Sequence, residues 1–256
     1  MCLILFAYQQ HSRYKLVLAA NRDEFYNRPS LPAGFWQDCP QVFGGRDLEQ
    51  GGSWMGVSRD GKMAAVTNYR DPASHNPQAK TRGALVSGYL CGPEQAADYV
   101  RGIDKDASLY NGFNLLAADK DSLWYYSNRQ RLAYTIPAGI HGLSNHLLNT
   151  AWPKVTLGKR RVAGIMELPE SEWEAAFMRL LTDQTQPAEA DLPQTGVAVE
   201  WERTLAPVFI TSPTYGTRTN TLLLIDYNHQ MRFIERTYHP DTQEWDRREI
   251  LIIPEN

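Results

Sequence analysis

The residue with the most direct route to chemistry stands at position two. Cys2 follows Met1, and methionine aminopeptidases act where the next side chain is as small as that of cysteine. Removal of Met1 would give Cys2 a free α-amino group. An α-amine titrates near ~8 and a thiol near ~8.5, so the amine can accept the thiol proton near neutral pH. One residue would then supply both nucleophile and base. The competing reading is a small hydrophobe that starts a strand, the usual behaviour of free cysteine.

A second polar cluster, Asn21-Arg22-Asp23-Glu24, follows the apolar run Leu16 to Ala20. If the segments around positions 2–8 and 16–20 pair as neighbours, the end of the second lies beside the start of the first. Arg22 would then favour thiolate at Cys2, and Asp23 would hold the α-amine. Adjacent residues on a strand point to opposite sides, so Arg22 and Asp23 are not both expected on the side of the thiol. The plainer alternative is a strand-ending turn with solvated charges. Gly44-Gly45 and Gly51-Gly52 make neither GxGxxG nor a Walker spacing, and read as tight turns. His141 and His146 converge with no cysteine pair or acidic helix face, so no metal site is expected.

These residues need elements to position them. Cys2 to Tyr8 and Leu16 to Ala20 flank a polar turn and read as an N-terminal hairpin. Trp54 to Ser58 and Met63 to Asn68 form another, joined through Gly61. Helical spacing joins Leu85, Val86, Tyr89 and Leu90, with Gly92 ending that helix and Pro93 opening the next. Strands return at Phe113 to Ala117 and Leu123 to Ser127. Helices run from Pro153 to Met166 and from Glu172 to Leu181, the latter with a capping box at Ser171 and Glu174. Gln184 to Thr195 reads as a surface loop, and the tail from Val208 is again strand-rich. Leu222 to Ile225 is apolar on both faces, as in a strand buried between layers. Without strict βαβ alternation, the expectation is an α+β fold of two antiparallel sheets covered by helices.

Composition narrows the function classes. The 256 residues are 43% hydrophobic, with net charge -3, which suits one domain spanning 1–256 and excludes a basic stripe for nucleic acid. Cys2, Cys39 and Cys91 form no CxxC, and three free thiols in a cytoplasmic setting are expected. The seven-residue apolar start is too short for a signal peptide or a transmembrane segment.

The ordered blocks Asn21-Arg22-Asp23-Glu24, Gly45-Arg46-Asp47, Gly51-Gly52-Ser53-Trp54-Met55-Gly56, Thr67-Asn68-Tyr69-Arg70, Gly142-Leu143-Ser144-Asn145, Trp152-Pro153-Lys154 and Tyr215-Gly216-Thr217-Arg218 resemble the NRDE family. That family is also called the transport and Golgi organisation protein 2 family. The resemblance implies a four-layer αββα sandwich similar to N-terminal nucleophile hydrolases. In the related branch that cleaves bile-salt and penicillin amides, an N-terminal cysteine attacks the carbonyl. By position, Cys2 resembles that nucleophile, Asp23 the aspartate that orients the amine, and Asn145 the oxyanion asparagine. Asn68 resembles a second contributor and Arg218 a late supporting arginine. Arg22 departs from the pattern, because the branch places its early arginine a few residues before the aspartate.

Two functions follow. One is cleavage or transfer at a linear amide or acyl bond through Cys2, needing no cofactor. The other is a non-catalytic carrier for a small hydrophobic or acyl-containing ligand, since the family is associated with haem trafficking and with lipid or acyl-coenzyme A homeostasis. With no CxxCH, any haem contact would be noncovalent.

Overall fold

A computed structural model describes residues 2–254, so the fate of Met1 lies outside the described residues. The chain begins with a hairpin of β1 (Cys2–Tyr8) and β2 (Tyr14–Phe25), followed by β3 (Ser30–Phe35), β4 (Val42–Asp47), β5 (Met55–Ser58) and β6 (Met63–Asn68). Helices α1 (Gly83–Cys91) and α2 (Ala96–Ile103) precede β7 (Phe113–Ala118), β8 (Leu123–Ser127), β9 (Leu132–Thr135) and β10 (Gly139–Leu143). Helices α3 (Pro153–Met166), α4 (Glu170–Leu181) and α5 (Val199–Leu205) lead into β11 (Tyr215–Asp226), β12 (Met231–His239) and β13 (Glu244–Ile252).

The strands form two sheets, ordered β10-β1-β2-β11-β12-β13 and β3-β4-β5-β6-β7-β8-β9. Every pairing between these strands is antiparallel. Alternation of side chains assigns each strand two faces. Ile4, Phe6, Leu16, Leu18, Leu223 and Phe233 meet residues of the second sheet in the layer between the sheets. Leu3, Leu5, Val17, Leu222 and Leu224 point the other way, into a core shared with α3 and α4. The second sheet presents Val66, Leu115 and Tyr126 to α1 and α2. The order helices, sheet, sheet, helices is the αββα sandwich expected from the motifs. Leu222 to Ile225 is apolar on both faces because β11 has a packed layer on each side.

Several local expectations are corrected. Asn21 to Glu24 do not form a turn; β2 continues to Phe25, and Asn21, Arg22 and Asp23 are buried. Pairing with β11 along the whole stretch, and with β1 at Asn21 and Arg22, holds it extended. Gly44-Gly45 lies within β4 rather than in a turn, because Gly44 packs against the backbone of β5 and Gly45 against the Trp54 ring. Ser171 caps nothing: α4 begins at Glu170 behind Pro169, so Ser171 is already inside the first turn. Gln95, not Pro93, precedes α2. Cys39 and Cys91 are not free thiols but a disulfide, their Cα atoms 6.0 Å apart across a sequence separation of 52. Packing of α1 on the loop before β4 brings them together, which spacing cannot reveal.

One buried acid makes this layering sensitive to pH. Glu235 lies on the face of β12 that points between the sheets; its Oε1 accepts the Ala33 N–H at 2.7 Å. Burial pushes its pKa up from 4.5 to about 7, against the Ala33 N–H and the charges of Arg22 and Arg248. A raised carboxyl pKa means that the folded state holds the proton more tightly. Its stabilising contribution is therefore fully present below pH 4.5 and lost as pH rises toward 7. The expected decline is about 3 kcal/mol across that window. Urea unfolding of Glu235→Gln should show a flatter profile from pH 5 to 8; an unchanged pH dependence would refute the assignment.

Candidate active site

Cys2 opens β1 directly opposite Arg22 of β2. The even-numbered neighbours Ile4, Phe6, Leu18 and Ala20 all face the inter-sheet layer. Alternation therefore puts the side chains of Cys2 and Arg22 on that same face. Asp23 falls on the other face with Val17 and Ala19, beneath α3 and α4. The two charged residues of the motif thus flank the start of β1 from its two sides. Asn21 is a fastener: its Nδ2 donates to the carbonyls of Leu181 and Val208, and its Oδ1 accepts from Asn220 Nδ2 at 2.7 Å.

The Arg22 guanidinium lies 4.1 Å from the centroid of the Trp54 ring and donates to Ser30 Oγ at 3.4 Å. Asp23 is 1% exposed, and its Oδ1 accepts a 2.6 Å hydrogen bond from Thr217 Oγ1. Burial raises the pKa of its carboxyl, against the positive charge of Lys154. Desolvation likewise pushes up the Cys2 thiol, with Asp23 adding to the effect and Arg22 opposing it. A thiol held protonated in this way needs a base before it can attack.

Cys2, Arg22, Asp23 and Asn68 line one cleft of about 500 Å³, whose far wall is the loop leading into α1, with Lys80 and Arg82. Asn68 ends β6; its carbonyl accepts Asn145 Nδ2 at 3.0 Å. An amide nitrogen has two N–H groups, so the second of Asn145 is not consumed by this bond. Asn145 is tied to Cys2 through Ser144, whose Oγ donates to the Cys2 carbonyl at 3.4 Å. Arg70, the residue two after Asn68, donates its backbone N–H to the Asn145 carbonyl at 2.7 Å. Arg218 is placed elsewhere. A bulge between Thr217 and Thr219 interrupts its pairing, its guanidinium donates to the Phe25 and Arg28 carbonyls, and it lines a neighbouring cleft of about 610 Å³. Trp54 borders both clefts.

Two residues at the site escaped sequence reasoning as functional. Lys154 is buried near the start of α3, where its Nζ donates to the Leu205 carbonyl at 2.8 Å. Burial lowers its pKa to about 8, with Asp23 acting against that shift. The signal was a lysine on the helical face of Gly158, Val162 and Ile165, all buried. Arg82 precedes α1 and donates to the Gly112 carbonyl at 3.2 Å; Arg82-Gly83 is a further block of the family resemblance, which implied no role for it. The histidines serve packing: His141 stacks on Phe6, and His146 bonds the Tyr69 hydroxyl and Thr150. Among the described residues, no three His, Cys, Asp or Glu side chains are grouped to hold a metal, and no helix is long and apolar enough to cross a membrane.

The cleft wall depends on a close backbone approach. A Cβ on Gly52 would lie 2.4 Å from the Gly83 carbonyl carbon, where the Ser53 N–H donates to the Gly83 carbonyl. Gly52→Ala is expected to push the start of α1 away from the cleft and cost about 1–3 kcal/mol, the usual price of overpacking. Thermal unfolding checks it; an unshifted midpoint would show that the wall yields freely.

The family model described as Transport and Golgi organisation 2 matches residues 1–240. The Mus musculus Transport and Golgi organization 2 homolog is 37% identical over 96% of each chain. The Homo sapiens homolog is 36% identical over 97% of each, and the Drosophila melanogaster Transport and Golgi organization protein 2 is 29% identical over 93% of this chain and 92% of that one. Among solved structures, a mutant conjugated bile acid hydrolase from Clostridium perfringens aligns with TM-score 0.48 and 9% identity over 98% of this chain and 92% of that chain. A Caenorhabditis elegans N-acylethanolamine-hydrolyzing acid amidase ortholog gives TM-score 0.48 and 13% identity over 87% and 92%.

Proposed function

The chain belongs to the Transport and Golgi organisation 2 family, and we propose that this protein cleaves or transfers at a linear amide or related acyl bond through Cys2. One juxtaposition carries the reading. Cys2 stands opposite Arg22 in the wall of the cleft, with Asp23 buried on the other face of the same strand.

After removal of Met1, the α-amine of Cys2 takes the Sγ proton and the thiolate attacks the ligand carbonyl. An S–C bond forms as the carbonyl π pair moves onto oxygen, where Asn145 and Asn68 are the residues assigned to stabilise the charge. One such donor contributes about 3 kcal/mol. The C–N bond then breaks, the ammonium proton leaves with the amine, and a thioester remains. Water, or another nucleophile in a transfer, attacks the thioester while the α-amine takes its proton; the C–S bond breaks and the thiol is restored. Asp23 holds the ammonium, and Lys154 favours the ionised form of Asp23.

The raised thiol pKa supports a second reading, a carrier that binds an acyl-containing ligand without attacking it. Haem fits the cleft poorly: Trp54, Val66, Pro77 and Ala79 are its main apolar lining among many charged and amide side chains, and a macrocycle needs apolar walls. Intact-mass measurement together with turnover of a panel of acyl amides separates the readings. A mass lacking Met1 and release of free amine support catalysis. Saturable acyl-coenzyme A binding without turnover supports the carrier, and retained Met1 sinks the amine-assisted mechanism.

A further inference from the structure

Two arginines of the Cys2 cleft stand out by what they lack. Arg28 and Arg70 each meet a carboxylate at 2.6 Å, from Asp47 and Glu202. Arg22 and Arg82 form no ion pair among the described residues. Arg22 is 5% exposed and its hydrogen bond goes to a serine hydroxyl; that of Arg82 goes to a backbone carbonyl. Both line the cleft that holds Cys2. A guanidinium largely withdrawn from water with no carboxylate in contact is costly, and the cost is relieved when an anion reaches it. Glu24, on the same strand as Arg22, favours both cations without forming an ion pair with either, and Asp47 adds to this at Arg22; Glu24 Oε1 accepts the Phe25 N–H at 2.9 Å. The start of α1, at Gly83, opens onto the same cleft without a side-chain cap, and its dipole adds positive potential there.

We propose that this cleft takes a ligand carrying an oxyanion close to its acyl bond, a carboxylate or sulfonate held between Arg22 and Arg82 beside Cys2. Arg22 is fixed by its stack on Trp54 and Arg82 by its bond to Gly112, so both forks are set before the ligand enters. The proposal rests on reading the cleft as the ligand site, but not on turnover.

The test measures binding calorimetrically on full-length Cys2→Ala protein, with N-decanoylglycine and the uncharged N-decanoylethanolamine as probes. The carboxylated probe should bind about 10- to 100-fold more tightly, the worth of charge-assisted hydrogen bonds. N-decanoyltaurine should share the advantage. Arg82→Gln and Arg22→Gln should each remove most of it while leaving the uncharged probe within about 2-fold, and Arg82→Lys should keep a part. Equal affinity for the charged and uncharged probes, no binding of either, or an advantage that survives both glutamine variants would overturn the proposal. Folding of each variant is checked by circular dichroism, and Arg82→Lys covers the case in which Arg22→Gln does not fold. A carboxylate preference without turnover by the unmodified protein would sink the catalytic reading alone; turnover without the preference would sink the oxyanion site alone.

Discussion

Replacing Cys2 with alanine is expected to lower kcat/KM on any acyl amide the protein cleaves by about 10³-fold or more, since loss of the nucleophile removes the covalent route outright. The fold should tolerate the change. Cys2 is half-buried at the first position of its strand, and alanine keeps the backbone pairing with Arg22 intact. The unfolding midpoint is therefore expected to stay close to that of the unmodified protein. Cys2→Ser should fall nearly as far, because a hydroxyl in the same desolvated position is a weaker acid than the thiol. Steady-state kinetics with a denaturant melt on the same preparations decides the matter. Full activity in Cys2→Ala would remove the residue from the reaction.

Glu202→Ala is expected to destabilise the protein by about 3–5 kcal/mol, the cost of leaving one partner of a buried ion pair alone. Arg70 and Glu202 side chains are 6% and 4% exposed and meet at 2.6 Å. The pair joins the segment after β6 to α5, while the other carboxylate oxygen of Glu202 accepts from the backbone and hydroxyl of Thr195. Arg70 also stacks on Trp152, 4.9 Å from the ring centroid, and its backbone holds Asn145. Losing Glu202 should thus loosen the asparagine assigned to the oxyanion as well as the fold. The double variant Arg70→Met with Glu202→Leu should recover much of the stability, because apolar replacement of both partners leaves no charge stranded. Urea unfolding of both variants tests this; a single-variant loss below about 1 kcal/mol would show the pair to be well hydrated.

Much of the layering was legible in the sequence. The apolar run Cys2 to Tyr8 and the two-faced apolar run Leu222 to Ile225 became inner strands of the first sheet. The apolar periodicity from Pro153 to Met166 became α3 with those bounds. Signals failed where a residue's conformation is set by a distant partner. The charged end of β2 is polar enough to read as a turn, yet β11 pairs with all of it and β1 with Asn21 and Arg22. Gly44 and Gly45 read as turn residues because glycine signals freedom; here it grants closeness to Met55 and Trp54. The short β9 and β10, and α5 with seven residues, carry too few periods to show above the loops around them.

For the site, the sequence by itself determined that a cysteine stands at position two and that an arginine and an aspartate are adjacent just after the apolar run Leu16 to Ala20; the structure continues β2 through them. Strand alternation then obliges those two side chains to part, one to each face, whatever surrounds them. Only the tertiary structure decided what each would meet. It put Arg22 on Trp54, set Asp23 beneath the helix that carries Lys154, brought Asn68 and Asn145 together across 77 residues, and turned Arg218 toward a different cleft. The reason is that alternation is a local property of the backbone, whereas a side chain's charge environment depends on which layers close over it. That closure is driven by apolar residues remote from the site.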